Sequence, residues 1–329
     1  MLILNEQTIR EIYRMDDCID DVEKAFMFGV EGKVIAPIRM SVPHEKMDAE
    51  TLYMPSYIEP VDFTAVKVVS IFPKNAEQGI KVLQSITLLT EAKTGRHVAM
   101  MDASYLTVLR TGASSGVATK YLARKDSRVC AVLGCGAQAI GQIQAIMAVR
   151  DLDQIILYNR TFEKAERFKE EIADLFTDWE GEIIVEQNPD DAVRAADIVI
   201  CSSKSSTPLF DGNVIKLGTH INAIGSYQPH MQEVDVQTLY KSDKIVVDTR
   251  EGALHEAGDF LVPLEKGLWN EESIYGEIGD ILSGEKEGRT NNDEITFYKS
   301  VGIGYLDTMV AQSVYQKAVQ LGVGEKVKM

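Results

Sequence analysis

The sequence predicts an α/β protein in which a doubly wound parallel sheet follows a mostly antiparallel one. Three observations predict it. From Val129 onward the chain alternates buried-strand and helix patterns, the rhythm of successive βαβ units. The first unit opens on VCAVLGCGAQAIGQIQ at 129–144, where an apolar run turns through Gly134-Cys135-Gly136 into a helix pattern. A long front segment precedes this stretch, and its patterns are those of one helix and several strands.

In order, residues 16–31 place Ile19, Val22, Ala25, Phe26 and Gly29 at helical spacing, with Asp16 or Asp17 as N-cap. APIRMSVP, ETLYMPSYI and FTAVKVVSIFP are strand-like. SITLLTEAKTGRHVAMMDA reads as a hairpin turning at Lys93-Thr94-Gly95. In SYLTVLRTGASSGVATKYLAR, small residues and regular apolar spacing over 113–122 predict a tightly packed helix, broken at Lys125-Asp126-Ser127. VCAVLG, QIILYN and EIIVE are strands, with helices over 139–149, TFEKAERFKEEIADLF and NPDDAVRAA between and after them. DIVICSS, HINAIGS and KIVVDT are further strands. Beyond Glu251 the chain reads as loop-rich until a last helix in VGIGYLDTMVAQSVYQKAVQLG, stopped by Gly.

A length of 329 residues suits about two domains of ~150 residues. The formal net charge of −16 argues against nucleic acid and anionic membrane as partners. Cys18, Cys130, Cys135 and Cys201 form no C-x-x-C pair or zinc template, which fits a reducing, cytoplasmic setting. No basic region and apolar core open the chain as in a signal peptide, and no apolar run is long enough to predict a membrane span.

The G-x-G-x-x-A pattern has a physical reading. Gly134 permits the tight turn, Gly136 lets backbone approach a pyrophosphate, and Ala139 keeps helix and strand close. Ala137 and Gln138, opening the helix, are further cofactor candidates. At the end of the second strand stand Asn159, Arg160 and Thr161, with no carboxylate to accept a ribose hydroxyl. Arg160 suits a 2′-phosphate, so NADP(H) is favoured over NAD(H).

In front, three cations interrupt apolar patterns: Arg39, Lys67 and Arg110. Lys67 shares strand parity with Phe63, Ala65, Val69 and Ile71, which points it inward. Together the three predict a pocket for a carboxylate. Two arginines would clamp it, and like charge would loosen the proton on the lysine.

These residues lie in stretches that resemble the ornithine cyclodeaminase/mu-crystallin family nearly end to end. The resemblance rests on PIRM, MPSY, VKVVSIFPKN, LRTGASSGVATKYLAR, VLGCGAQA, LYNRTFEKAERF, CSS, HINAIGSYQPHMQEVD, HEAGDF, GEIGDILSG and YKSVGIGYLD. It implies a Rossmann domain at 118–302 inserted into a split α+β substrate-binding and dimerisation domain, 1–117 plus 303–329. It also implies a homodimer built through the front sheet. Arg39, Lys67 and Arg110 match the positions that hold the substrate carboxylate. Thr111, Ser202, Ser203, Val301 and Gly302 match segments along the cofactor.

The chain departs from the cyclodeaminases of that family. Ser226 stands where they carry an Asp, Leu52 where they carry a Glu, and Asn159-Arg160-Thr161 clashes with tightly held NAD. The resemblance then implies an NAD(P)H-dependent reductase of cyclic 2-carboxy imines such as Δ1-pyrroline-2-carboxylate and Δ1-piperideine-2-carboxylate. Lys67 would be catalytic, with Arg39, Arg110, Met54 and Ser226 around the substrate. The alternatives are an ornithine cyclodeaminase, an alanine-dehydrogenase-like or opine-type enzyme, and a non-catalytic NADPH or carboxylate binder. His255-Glu256 lacks the second histidine of H-E-x-x-H and the other histidines do not cluster, so no metal is expected. Cys135 reads as a small apolar filler. Asp307 is either an orienter of the site or only an acid at a helix N-terminus.

Overall fold

Alternation of apolar and polar residues gives the front segment a sheet with one buried face. In the computed structural model, which describes residues 1–328, that segment runs β1 (Leu2–Leu4), α1 (Glu6–Ile12), α2 (Met15–Val30), β2 (Val34–Ile35), β3 (Met40–His44), β4 (Ala49–Ile58), β5 (Phe63–Ile71), β6 (Leu83–Glu91) and β7 (His97–Asp102), then the long helix α3 (Ser104–Leu122). β4, β5, β6 and β7 pair antiparallel in sequence order, with β2 and β3 both on the far side of β4 and β1 parallel to β7. The β6–β7 hairpin turns with Gly95 at φ 69, the left-handed conformation glycine takes without penalty. β1 and α1 were not foreseen from sequence; a three-residue strand and a seven-residue helix are too short to show a period.

Beyond α3 the elements are β8 (Val129–Leu133), α4 (Ala137–Val149), β9 (Gln154–Tyr158), α5 (Phe162–Leu175), β10 (Glu182–Val185), α6 (Pro189–Ala195), β11 (Ile198–Cys201), β12 (His220–Ala223), α7 (Val236–Lys241), β13 (Lys244–Val247), α8 (Arg250–Glu256), α9 (Gly258–Glu265), β14 (Ile274–Glu277), α10 (Ile278–Leu282) and β15 (Thr296–Lys299). The sheet order is β10-β9-β8-β11-β12-β15-β13-β14, and every pairing is parallel. The winding reverses between β8 and β11, where doubly wound sheets bind ligands. The loop-rich reading beyond Glu251 is corrected. That stretch holds three helices and two strands, and β15 sits in the sheet between β12 and β13. Its four residues carry no readable period, and burial from both flanks decides the conformation instead.

A chain of buried charge fastens this sheet. Lys299, at the end of β15, donates to Asp259 Oδ2 at 2.7 Å, and both side chains are fully buried. Asp259 Oδ1 accepts the amides of Glu233 and Val234, and the Glu233 carboxylate accepts the amides of Ser203, Gly225 and Ser226. Breaking such a buried pair costs about 3–5 kcal/mol, so the loops after β11 and β12 are held together with β15. The last turn of α3 is closed by side chains as well. Arg150 donates to the carbonyls of Thr119, Ala123 and Arg124, and Arg289 to that of Leu122.

The chain ends in α11 (Gly304–Leu321), stopped by Gly322 at φ 70, and β16 (Glu325–Lys326), antiparallel to β1. α11 packs on α2, β4 and β5, with Tyr305 edge-on to Phe26 at 6.4 Å between ring centroids. The molecule divides into two compact units. One is Met1–Arg110 with the chain from Ile303 onward, and the other is Thr111–Gly302. The division thus falls after Arg110, inside α3, rather than after residue 117. No described helix is long and apolar enough to cross a membrane.

Candidate active site

Strand parity places Lys67 on the buried face of β5, and register gives it Met54 of β4 on one side and Thr87 of β6 on the other. All three are buried, Lys67 to 1% exposure. An ammonium in such a row is tenable only with a partner. The partner comes from the other end of the chain: Lys67 Nζ donates to Asp307 Oδ1, in the first turn of α11, at 2.8 Å. The same oxygen accepts Arg110 Nε at 3.1 Å. Thr107, one helical turn before Arg110 on α3, offers Oγ1 to Lys67 at 3.4 Å. Arg39, half-buried between β2 and β3, adds its charge to the field at Lys67. Burial, then the Arg110 charge, lowers Lys67 to about 7, against the opposing pull of Asp307 and with a further push from Arg39. Burial would raise the Asp307 carboxyl, but Arg110 and Lys67 outweigh it and hold it below the usual range. The structure therefore brings Arg39, Lys67, Arg110 and Met54 together, and Asp307, an acid in the first turn of α11, bonds both Lys67 and Arg110.

The second unit carries the glycine turn. Gly134 has φ 108, and a Cβ there would lie 2.9 Å from the Ser202 backbone carbonyl. Ser202 in turn donates its hydroxyl to the Gly134 carbonyl at 2.8 Å. Gly136 differs: a Cβ there would meet no protein atom within 4 Å. The fold does not demand that glycine, and it leaves clear the N-terminus of α4, which has no side-chain cap. Ala137 is exposed beside it, and Gln138 Oε1 is buried without a partner. These features fit a pyrophosphate, which uses free backbone amides and a helix N-terminus. Asn159 braces the turn, accepting from the Cys135 amide at 3.3 Å and donating to the Thr161 carbonyl at 2.9 Å. Arg160 is exposed, with no hydrogen bond or ion pair to any described residue. Burial pushes the Cys135 thiol up to about 12 and leaves it unreactive.

Other expected residues are placed as follows. Thr111 is buried and its carbonyl accepts Gln142 of α4 at 3.1 Å. Ser203 gives its amide to Glu233. Val301 and Gly302 follow β15, and both amides donate to Asp248 Oδ2 at 2.9 Å. Ser226 was expected as a substrate contact. It is fully buried and its hydroxyl donates to the Met231 carbonyl at 2.8 Å, so the hydroxyl is already used inside the fold. Sequence reasoning missed Glu233, Asp259, Lys299 and Asp248. The signal was present in KIVVDT and YKS, where a charge ends an apolar strand.

Comparison with known proteins finds relatives along the whole chain. Residues 1–322 match the model of the ornithine cyclodeaminase/mu-crystallin family. The Δ1-pyrroline-2-carboxylate reductase of Bacillus cereus is 40% identical over 328 residues, spanning 100% of both chains. The structure of the Thermococcus litoralis Δ1-pyrroline-2-carboxylate reductase with NADH and L-proline superposes with a TM-score of 0.95 at 39% identity, covering 99% of this chain and 100% of that one. An archaeal alanine dehydrogenase dimer with bound NAD superposes at 0.92 and 34% identity, covering 100% of this chain and 99% of that one.

The two glycines are expected to separate on substitution. Gly134→Ala forces a left-handed backbone onto a side chain that has no room, costing about 1–3 kcal/mol for the backbone alone. Gly136→Ala should leave the melting temperature unchanged and weaken nicotinamide dinucleotide affinity. Thermal unfolding and fluorescence titration with NADPH read the two effects. Unchanged affinity in Gly136→Ala would remove the pyrophosphate from this turn.

Proposed function

We propose a function from the premise that this chain belongs to the ornithine cyclodeaminase/mu-crystallin family: it is a nicotinamide-dependent reductase of cyclic 2-carboxy imines, forming proline from Δ1-pyrroline-2-carboxylate and pipecolate from its six-membered homologue. The observation that carries this reading is Lys67, buried against Arg110 and Asp307 with its proton loosely held. The reductases named above, similar along the whole chain, support it.

Arg110 spends only Nε within the fold, which leaves its terminal nitrogens for the ring carboxylate. Arg39 supplies the second cation for that carboxylate. Met54, beside Lys67 in register, offers an apolar surface to the ring methylenes. Gly134, Gly136, Ala137, Gln138, Thr111, Asn159, Thr161, Ser202, Ser203, Val301 and Gly302 would hold a reduced nicotinamide dinucleotide, which would supply a hydride when bound. As the imine carbon gains its new C–H bond, the C=N π pair moves onto nitrogen. Lys67 Nζ gives that nitrogen its proton, and the neutral amine recovers one from water. The general-acid step needs charged Lys67, so the reductive rate falls as pH rises through about 7.

Arg160 favours NADPH, because an exposed guanidinium without a partner is available to a 2′-phosphate. The neighbouring structures were solved with NADH and NAD, so the preference belongs to this chain's own second strand. The likeness to an alanine dehydrogenase favours an open-chain imine as the second reading.

The front sheet supports self-association. Register aligns Met40, Tyr53, Val68 and Ile86 across four strands on the outer face, with Met40 65%, Tyr53 38% and Ile86 46% exposed. Such an apolar row suits a second copy of the chain.

Loss of reduced-nicotinamide absorbance with Δ1-pyrroline-2-carboxylate tests the reaction. The expected result is oxidation of NADPH faster than NADH, proline as product, and no ammonia from ornithine. Lys67→Met should lower the rate about 100- to 10,000-fold. Turnover only of pyruvate with ammonia would replace the cyclic substrate by an open-chain one, and NADPH binding without turnover would leave a binding protein. Light scattering should find a dimer that Ile86→Asp dissociates; an Ile86→Asp dimer would move the interface off this face.

A further inference from the structure

We propose that Asp307 is a positioning residue that holds Lys67 and Arg110 on one carboxylate oxygen and keeps the lysine protonated against two arginines. The inference rests on the reductase reading above, and it adds to that reading the group that sets its proton donor.

Three elements distant in sequence converge on Asp307 Oδ1: Lys67 from β5 at 2.8 Å and Arg110 from α3 at 3.1 Å meet it at the start of α11. Two cations sharing one acceptor are held closer together than their own repulsion allows. Asp307 Oδ2, buried, bonds to no described group, so the carboxylate's hydrogen bonding is concentrated on the shared oxygen. The carboxylate cannot swing away easily. Its neighbour Thr308 shares a 2.5 Å hydroxyl contact with Ser56 of β4, and both are buried. A Cβ at Gly304 would lie 3.3 Å from the Pro55 carbonyl, so the first turn of α11 rests directly on β4 backbone. The positive end of α11 adds to the stability of the charged form.

The groups facing Lys67 are Arg110 and Thr107 from α3, Asp307 from α11 and Arg39 from the stretch before β3, while its sheet neighbours Met54 and Thr87 carry no charge. Asp307 is the anion that bonds Lys67 directly. Without it, desolvation and the arginines act on Lys67 with no bonded counter-charge, and the lysine loses its proton at a lower pH.

Asp307→Asn keeps an acceptor oxygen for both donors and removes the charge, Asp307→Ala removes both, and Asp307→Glu restores the charge. Three readouts separate the roles. These are the pH profile of kcat in imine reduction, the affinity for pyrrole-2-carboxylate by calorimetry, and the titration of Lys67 by NMR of carbon-13-labelled lysine. In Asp307→Asn the basic limb and the Lys67 midpoint are expected to move down by about one to three pH units. Affinity for pyrrole-2-carboxylate should stay near that of the wild type, and Glu should return the limb upward. Asp307→Ala should also weaken pyrrole-2-carboxylate binding, because Arg110 Nε loses its acceptor. A uniform fall in rate at every pH, with limb and midpoint unmoved, would overturn the proposal and leave Asp307 a structural residue. Should the wild type reduce no cyclic imine, the reductase reading fails by itself. The Lys67 midpoint in wild type and Asp307→Asn then still decides the positioning role, a fixed midpoint refuting it.

Discussion

The carboxylate of Asp307 is the constraint on which the first unit turns. An ammonium and a guanidinium share one of its oxygens in a site shut from water, with a second guanidinium close enough to be felt. Burying such charge is unfavourable unless each ion finds its partner. β5 must present Lys67 to the inner face, α3 must bring Arg110 to the same place, and the chain must return after its second unit for α11 to deliver the anion. With Lys67 charged, two cations share one carboxylate oxygen. In the proposed reaction a substrate carboxylate would offset part of their repulsion, and the proton leaving Lys67 would remove more. Binding and proton transfer would there both relieve the repulsion between Lys67 and Arg110, which is the basis for proposing the lysine as an acid near neutral pH.

The second unit uses buried carboxylates differently. Glu233 gathers the amides of Ser203, Gly225 and Ser226, and Asp248 those of Val301 and Gly302. Each fixes loops at the carboxyl ends of parallel strands, the edge where a doubly wound sheet receives a ligand. Lys299 and Asp259 tie that scaffold to β15. Ser226 belongs to it. Where cyclodeaminases of the family are expected to carry an acid toward a substrate amine, this chain has a hydroxyl bonded to Met231.

Much of this was legible in the residues. Lys67 announced its burial by parity, and the glycine turn announced itself by its strand and helix flanks. Arg39, Lys67 and Arg110 stood out because cations in apolar patterns need a reason. Asp307 was only half legible, since an acid in the first turn of a helix is explained by the helix alone until the fold brings Lys67 to it. Glu233 and Asp259 were not singled out, because each lies in a segment of mixed polarity and their meeting with Lys299 through the fold is purely tertiary. β15 was missed for a related reason: neighbours on both sides, rather than its own four residues, make it a strand. The bond from Ser226 to Met231 was not legible, because a position inherited from relatives says where a side chain stands and not what its hydroxyl already bonds.

The most direct test of Lys67 as proton donor is chemical rescue. Lys67→Ala would be assayed for imine reduction with NADPH while methylammonium is added at several pH values. The account predicts a saturable recovery of rate that follows the concentration of the protonated amine. A folded variant that binds NADPH and pyrrole-2-carboxylate yet gains nothing from any amine would contradict it.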